Sequence, residues 1–413
     1  QGILSYWMNF GVEKDGNGFY GAVNLQNEPD PSANKSCVLN ARILWTFAAA
    51  ARKYPGRGYE EMAHKAYRVI SGAFADEEMG GYFMEISPSG EVVNDIKHSY
   101  NQAFVIYALC QYYELEHDEQ VMQKIREFFF FLDKKMKDPE NSGYLEAFTR
   151  DWQKYEDNRM ADNNEPKSMN THLHILEAYS AVYRIWKGDL IRQRLTELLH
   201  LFINSIIRED GHLGIFFNER FEEMDSSRGT CSFGHDIEAS WLIWEAAELL
   251  GDENILIQIK PLILKMGIGV YREGIDNDGG LFLESNRFGS HLRTNKHWWL
   301  QAETLVGVMN LFQLKQELRY WNMVKLTWDF INNHIKDHEN GEWFAKVSRR
   351  GVPYRIEPAD DPSPFYKNDR KIDPWKAPYH NGRAMMEMVQ RIDDVLEKWE
   401  SDRVRQFLHI GNE

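Results

Sequence analysis

The sequence predicts an all-α fold, an (α/α)6 barrel of six helical hairpins with short β-hairpins between the units. Three observations lead there. A glycine followed closely by aromatic or apolar residues recurs as Gly18-Phe19-Tyr20, Gly81-Tyr82-Phe83, Gly143-Tyr144-Leu145, Gly214-Ile215-Phe216, Gly280-Leu281-Phe282 and Gly341-Glu342-Trp343-Phe344, at intervals of 63, 62, 71, 66 and 61 residues. A nearly constant period marks a repeated supersecondary unit. Each interval also holds the same parts in the same order, a short extended hairpin and then two helical stretches. Finally, no linker of Pro, Gly or Ser divides the copies. Six hairpins can therefore close into an inner and an outer ring, burying the end faces that an open array must cap.

In chain order, a short segment at 3–10 counts as the first helix, followed by the pair 39–54 and 59–74. The stretch Gly81 to Glu85, the turn Ser87-Pro88-Ser89-Gly90 and the piece Glu91-Val92-Val93 read as a small hairpin. From Ser99 apolar residues fall at three and four spacing (Phe104, Ile106, Tyr107, Leu109, Cys110, Tyr113), the pattern of an amphipathic helix. Its partner spans 119–136, with Val121, Ile125 and Phe128 to Leu132 on the apolar side. The same order recurs at 169–185 with 190–207, at 237–250 with 255–270 and at 298–314 with 318–335, and a final helix covers 381–399.

The period argues for one barrel domain over residues 1–413. A hydrophobic content of 43%, with 13 Trp, 19 Tyr and 23 Phe, fills a large core and leaves aromatic side chains to line a cavity. The net charge of −15 is spread along the chain, which speaks against nucleic acid and anionic membrane as partners. Cys37, Cys110 and Cys231 are an odd number and read as buried thiols of a cytoplasmic protein. Asn34-Lys35-Ser36 matches a glycosylation triplet of a kind that arises often by chance, and no signal peptide or membrane-spanning run is read. The connection 351–374, rich in Pro and Asp, is the longest and is a candidate lid over the cavity mouth.

Between each hairpin and the next helix stand polar residues. The six sets are Asn40 and Arg42; Lys97-His98-Ser99-Tyr100; Asn170-Thr171-His172-Leu173-His174; Gly234-His235-Asp236-Ile237-Glu238; His297-Trp298-Trp299 with Glu303; and Tyr379-His380-Asn381-Gly382-Arg383. A single histidine near a helix start is usually structural. Six polar placements at one repeat position are not explained that way, because barrel closure would aim them all at one end of the axis. No HExxH, paired CxxC or calcium-loop motif is present, His172 and His174 are badly spaced for a shared metal on a helix, and Asp276-Asn277-Asp278-Gly279 reads as a turn.

These segments resemble the cellobiose 2-epimerases, within the wider N-acylglucosamine 2-epimerase family. The matching stretches are Leu39-Asn40-Ala41-Arg42-Ile43-Leu44-Trp45, Ser168-Met169-Asn170-Thr171-His172-Leu173-His174, Ser232-Phe233-Gly234-His235-Asp236-Ile237-Glu238, His297 through Glu303, and Trp375 through Arg383. The resemblance implies the same (α/α)6 barrel and an enzyme that converts the reducing-end glucose of a β-1,4 disaccharide into mannose: cellobiose into glucosyl-mannose, lactose into epilactose. It implies no metal or redox cofactor and a small-molecule disaccharide as the partner; a monomer or weak homodimer is expected. His235 and His380 would be the acid/base pair, with His174 and Arg42 holding the oxygens that become charged. Tyr100, Asp162, Asn170, Glu238, Trp299, Glu303 and Trp375 would bind sugar or tune the histidines. This chain departs from the family pattern in a shorter first helix and a longer 351–374 connection.

The chemistry explains the residue types. Inverting C2 requires opening the pyranose, removing a poorly acidic C–H beside the C1 carbonyl, and returning a proton to the opposite face of an enediolate. Imidazole, with an ordinary pKa of about 6.5, can take and give protons near neutrality. Such assistance contributes roughly 10²–10⁴-fold per group, and a fixed donor to the enediolate oxygen about 3 kcal/mol. Glu238, three residues after His235, is expected to fix that histidine's tautomer, and Glu303 to do the same for His380. Trp299 and Trp375 offer flat faces for sugar rings. Rival readings are an N-acylglucosamine or mannose epimerase/isomerase, a glycoside hydrolase using Glu238 and Glu303 at about 5–9.5 Å, and a protein-binding toroid.

Overall fold

The computed structural model describes residues 2–14, 18–155, 164–286, 291–356 and 367–410, with backbone only over 401–410. It opens with α1, Ile3–Tyr6, continued by a π-helical turn Trp7–Gly11. Five hairpins follow. They are α2 Cys37–Lys53 with α3 Tyr59–Ser71, α4 Ser99–Glu116 with α5 Glu119–Met136, α6 Met169–Ile185 with α7 Asp189–Leu201, α8 Phe233–Leu250 with α9 Glu253–Glu273, and α10 Trp298–Lys315 with α11 Leu318–Phe330. Helix α12, Tyr379–Ile410, is the last.

The even-numbered helices form the inner ring. Each packs on the next, α12 packs on α2, and α1 packs on α12 to complete the sixth pair. The barrel is closed, and an antiparallel pairing of Val23–Asn24 with Arg370–Ile372 fastens the seam. Burial sorts the two rings. Helix α4 is buried at every position from Ser99 to Tyr112, as an inner helix must be, whereas α5 buries only a stripe including Val121, Ile125, Phe129 and Leu132.

Most helix boundaries agree with the periodic pattern to within a few residues. Helix α8 differs, starting at Phe233 rather than 237. Its first turn carries His235, which faces the axis, and Asp236, which is buried against His212 and the Leu213 N–H, and these polar residues interrupt the apolar spacing that signals a helix. Helix α12 likewise extends on both sides of the expected 381–399. The ends assigned to helix at 202–207 and 331–335 are π-helical turns, Phe202–Ile206 and Ile331–Ile335.

The glycine motif owes its recurrence to a buried ion pair in each unit. Lys97 Nζ donates to Asp76 at 2.8 Å, Lys167 to Asp138 at 2.7 Å, Lys296 to Asp276 at 3.2 Å and Lys371 to Asp337 at 2.7 Å, while Lys35 meets Glu13 at 2.5 Å. Each lysine sits in the strand before an inner helix, or in the strand Arg370–Ile372 leading to α12. Each aspartate belongs to the turn before a motif glycine. Gly81 takes φ +74°, and a Cβ there would stand 2.6 Å from the Trp152 ring. In three units an aromatic residue after the glycine covers the ammonium, Phe83 for Lys97 at 4.3 Å, Phe282 for Lys296 at 5.5 Å and Phe344 for Lys371 at 4.5 Å, while Phe221 covers Lys167 at 4.9 Å. In the fourth unit Cys231 replaces the lysine, and Arg208 supplies the cation to Asp210 at 3.3 Å instead.

Of the connection 351–374, residues 357–366 lie outside the described residues, so the lid reading is not carried by the fold. Its last third is anchored: Arg370–Ile372 is a strand of the seam, and Asp373 accepts from the N–H groups of Trp375 and Lys376 at 2.8 and 2.7 Å. Among the described residues no helix is long and apolar enough to cross a membrane. Cys37, Cys110 and Cys231 are buried free thiols.

Candidate active site

The inner helices all run the same way, so their first turns converge on one end of the axis. A cavity of about 230 Å³ opens there. Nine of the expected residues line it: Arg42 from α2, Tyr100 from α4, Asn170 and His174 from α6, His235 and Glu238 from α8, Trp299 from α10, Trp375, and His380 from α12. Glu303 lies one layer beneath, fully buried. Asp162 lies outside the described residues.

Trp299 stands beside both candidate acid/base groups, its ring 4.9 Å from that of His235 and 5.6 Å from that of His380. The two imidazoles come from helices on either side of α10. His380 Nδ1 is 2.7 Å from Glu303 Oε1, the partner expected for it although the two stand on different units. His235 Nδ1 is 2.7 Å from Ser232 Oγ. That corrects the expected tautomer partner. Glu238 does not hold His235; it turns to Arg383, which donates to it at 2.9 Å, and lies 3.8 Å from His380. The serine reaches His235 first because the histidine occupies the opening turn of α8, next to the strand that carries Ser232. His174 Nδ1 is held by Glu177 at 2.9 Å.

Arg383 is the hub that residue spacing did not reveal. It donates to Glu303 at 2.8 Å as well as to Glu238, and its other terminal nitrogen bonds Glu177 and Tyr379. One guanidinium thus balances three buried carboxylates, with planar fork geometry suited to the task. Glu238, Glu303 and His380 present ligand atoms within 4.8 Å of one another, a spacing a metal ion would accept. Arg383 Nη2 already contacts both carboxylates, so their charge is compensated from the protein itself. The two carboxylates meet on one nitrogen of Arg383 at one side of the cavity rather than facing each other across it, which does not suit hydrolysis by two opposed carboxyl groups.

Burial lowers the pKa of His235 to about 3, with the neighbouring His174 adding to the effect, and pushes His380 well below its ordinary value, with Arg42 and Arg383 adding to it. Burial also raises Glu238 and Glu303, the former with help from its carboxylate neighbour, while Arg383 opposes both rises. Glu177 goes the other way, to about 2: burial raises it, and Arg383 and His174 together outweigh that. Arg42 donates to the Tyr100 hydroxyl at 2.7 Å and to the Trp375 carbonyl at 2.8 Å, and stacks on Phe104 at 4.4 Å. Its Nε has no partner.

Other polar residues at the repeat position are structural. His98 accepts from the Tyr100 N–H at 3.2 Å, His172 bridges the Ser168 carbonyl and the Tyr144 N–H, and Asn40 donates to the Ser36 carbonyl at 2.9 Å.

Residues 18–367 match the family model described as N-acylglucosamine 2-epimerase (GlcNAc 2-epimerase). A cellobiose 2-epimerase of Bacteroides fragilis is 37% identical over 390 residues, covering 94% of this chain and 95% of that protein. The solved structure of a cellobiose 2-epimerase from Spirochaeta thermophila superposes with a TM-score of 0.83 at 36% identity, covering 96% of this chain and 94% of the other. One from Bacillus thermoamylovorans gives 0.85 at 29% identity, covering 94% and 96%.

Proposed function

Because the chain belongs to the N-acylglucosamine 2-epimerase family and is a carbohydrate epimerase/isomerase, we propose that it inverts C2 of the reducing-end glucose of β-1,4-linked disaccharides, turning cellobiose into glucosyl-mannose and lactose into epilactose. The observation that carries the mechanism is the unequal pairing of two buried imidazoles around Trp299: His235 on a neutral hydroxyl, His380 on a carboxyl group.

Ring opening moves the O1 proton to O5 and leaves C1 as a carbonyl. His235, kept neutral by burial, then takes the C2 proton through the nitrogen that Ser232 does not occupy. The electron pair of the C–H bond moves into the C1–C2 bond, and the negative charge settles on O1, where the Arg42 guanidinium donates; His174, neutral with its Nδ1–H given to Glu177, accepts from a sugar hydroxyl through Nε2. His380 and Glu303 together hold one further proton, because burial favours a neutral acid beside a neutral imidazole over an ion pair. That proton passes through His380 to the opposite face of C2. The reverse reaction exchanges the two roles, and solvent resets the protons once the cavity opens. Glu177 and Arg383 keep His174 and the two other carboxylates in place. Trp299 and Trp375 supply the flat faces for the sugar, as the sequence suggests; Asn170, Tyr100, Glu238 and Asp162 remain assigned to sugar binding and tuning.

Proton NMR with cellobiose in heavy water provides the test. A mannose-type anomeric signal should grow in, with deuterium at C2 of the product. His235→Asn and His380→Asn should each reduce turnover by about 10²–10⁴-fold with the fold intact. Full activity in the double variant overturns the assignment, and ketose as the main product would place the enzyme among isomerases.

A further inference from the structure

In four units a hairpin carbonyl accepts the opening N–H of an inner helix: Met84 from Cys37 at 3.0 Å, Glu146 from Ser99 at 2.8 Å, Ile215 from Met169 at 2.9 Å and Ala345 from Trp298 at 3.1 Å. The side chain at this repeat position is apolar in three of them. In the copy that begins at Gly143 it is a glutamate, only 2% exposed. A carboxyl group buried where an apolar side chain serves elsewhere is destabilising unless it is bonded.

Its two oxygens reach the start of the next inner helix. Oε1 accepts from the Ser168 N–H at 2.6 Å and Oε2 from the Thr171 hydroxyl at 2.6 Å. Ser168 Oγ in turn accepts from the Thr171 N–H at 3.1 Å. Glu146 thus reinforces the N-cap of α6 from outside the helix, at the end where the helix dipole favours a carboxylate. Because its carbonyl also holds Ser99, one residue bonds the first turns of α4 and α6 together. His98 stands on a third side. Its Nδ1 accepts from the Tyr100 N–H, so the proton of the neutral ring is on Nε2, which lies 3.9 Å from Glu146 Oε2 and has no hydrogen-bond partner. Burial keeps His98 neutral, with a pKa lowered to about 3, and lifts Glu146 to about 7 against the bonds from Thr171 and Ser168.

The two joined turns bring Tyr100 and Asn170 to the catalytic cavity. The Asn170 side chain makes no hydrogen bond among the described residues, so the backbone turn that carries it sets its place. His174, farther along α6, is held separately by Glu177. We infer that Glu146 is a positioning residue for sugar binding: its carboxyl group, on Ser168 and Thr171, fixes where α6 presents Asn170 relative to Tyr100 on α4. This rests on the reading of Asn170 and Tyr100 as sugar-binding groups.

Amide hydrogen exchange and steady-state kinetics on cellobiose test it with the full chain. Glu146→Leu should speed exchange at Ser168 to Thr171 about tenfold and leave Ser99 and Tyr100 unchanged, since a backbone carbonyl and His98 hold those two. KM should rise about fivefold with kcat within about twofold, because His235 and His380 stand on α8 and α12. Glu146→Gln keeps an acceptor for Ser168 and should bring KM back to within about twofold of wild type. Thr171→Val alone should raise KM about twofold, which carries the test if Glu146→Leu does not fold. Adding Thr171→Val to Glu146→Leu removes the unpaired hydroxyl, so thermal melting should partly recover while KM stays raised; a purely stabilising role would restore both. Unchanged exchange at Ser168 to Thr171 overturns the inference, as does a KM that merely follows melting across the variants. A wild type that turns over no cellobiose overturns the function reading instead, and the exchange pattern then decides whether Glu146 positions this turn.

Discussion

Glu177 and Glu238 each stand three residues after a cavity histidine on an inner helix, yet only Glu177 touches its histidine, at 2.9 Å from His174. The difference lies in where the helix begins. His174 is five residues beyond the start of α6 and has no strand beside it, whereas His235 stands in the first turn of α8 with Ser232 within reach. Ser232→Ala should therefore lower kcat about fivefold, with KM nearly unchanged, by freeing the His235 ring. Glu303→Gln keeps an acceptor for Arg383 but removes the proton that Glu303 shares with His380. It should lower kcat about a hundredfold or more with little change in KM or thermal melting. Steady-state kinetics on purified variants checks both. Spacing carries no signal for the His380–Glu303 contact, whose partners stand 77 residues apart on different units, nor for the role of Arg383, because an arginine in Asn381-Gly382-Arg383-Ala384-Met385 resembles any snorkelling surface cation until ring closure puts three carboxylates around it.

At the scale of elements, the buried lysine–aspartate pairs are what fixes each hairpin to the helix that follows it. They differ in redundancy. Asp76 keeps a bidentate contact from Arg150, at 2.9 and 3.1 Å, even without Lys97, while among the ion pairs of the described residues Asp138 has Lys167 as its cation. Lys167→Met should thus cost about 3–5 kcal/mol in unfolding free energy, and Lys97→Met clearly less. Chemical denaturation of the two variants decides it. The helices themselves were legible in the sequence because apolar spacing is a local signal. The ion pairs were not: lysine and aspartate are surface residues by habit, and their partners lie 20 to 34 residues apart. Helix starts such as that of α8 were misplaced for the same reason, since inward-facing polar residues mimic a loop.

For the whole molecule, protonation couples the site to stability. The buried imidazoles of His98, His172, His174, His235 and His380 all have lowered pKa values, so the unfolded chain binds protons at a pH where the folded chain does not. Raised Glu146, Glu238, Glu245, Glu248, Glu303 and Asp373 act in the opposite sense, holding protons in the folded state that the unfolded chain has released. Between about pH 4.5 and 6.5 the two sets oppose each other. Below about pH 4.5 the lowered carboxyl groups of Asp76, Asp138 and Glu177 join the imidazoles, because the unfolded chain protonates them first. Stability should therefore fall as pH drops from about 4.5 towards 3, and melting temperatures measured across that window check it; a flat profile would contradict the burial of these groups. Six-fold closure was readable from the glycine period, but which residues close it was not, because the seam joins Val23–Asn24 to Arg370–Ile372 across almost the whole chain.

The guanidinium of Arg383 belongs to α12, the last inner helix to leave the ribosome. Until it arrives, Glu177, Glu238 and Glu303 lack this counter-ion, and Trp375 and His380 are still missing from the pocket. Completion of the circle and neutralisation of its centre are one event, so under the proposed mechanism a chain cut before α12 should not turn over sugar.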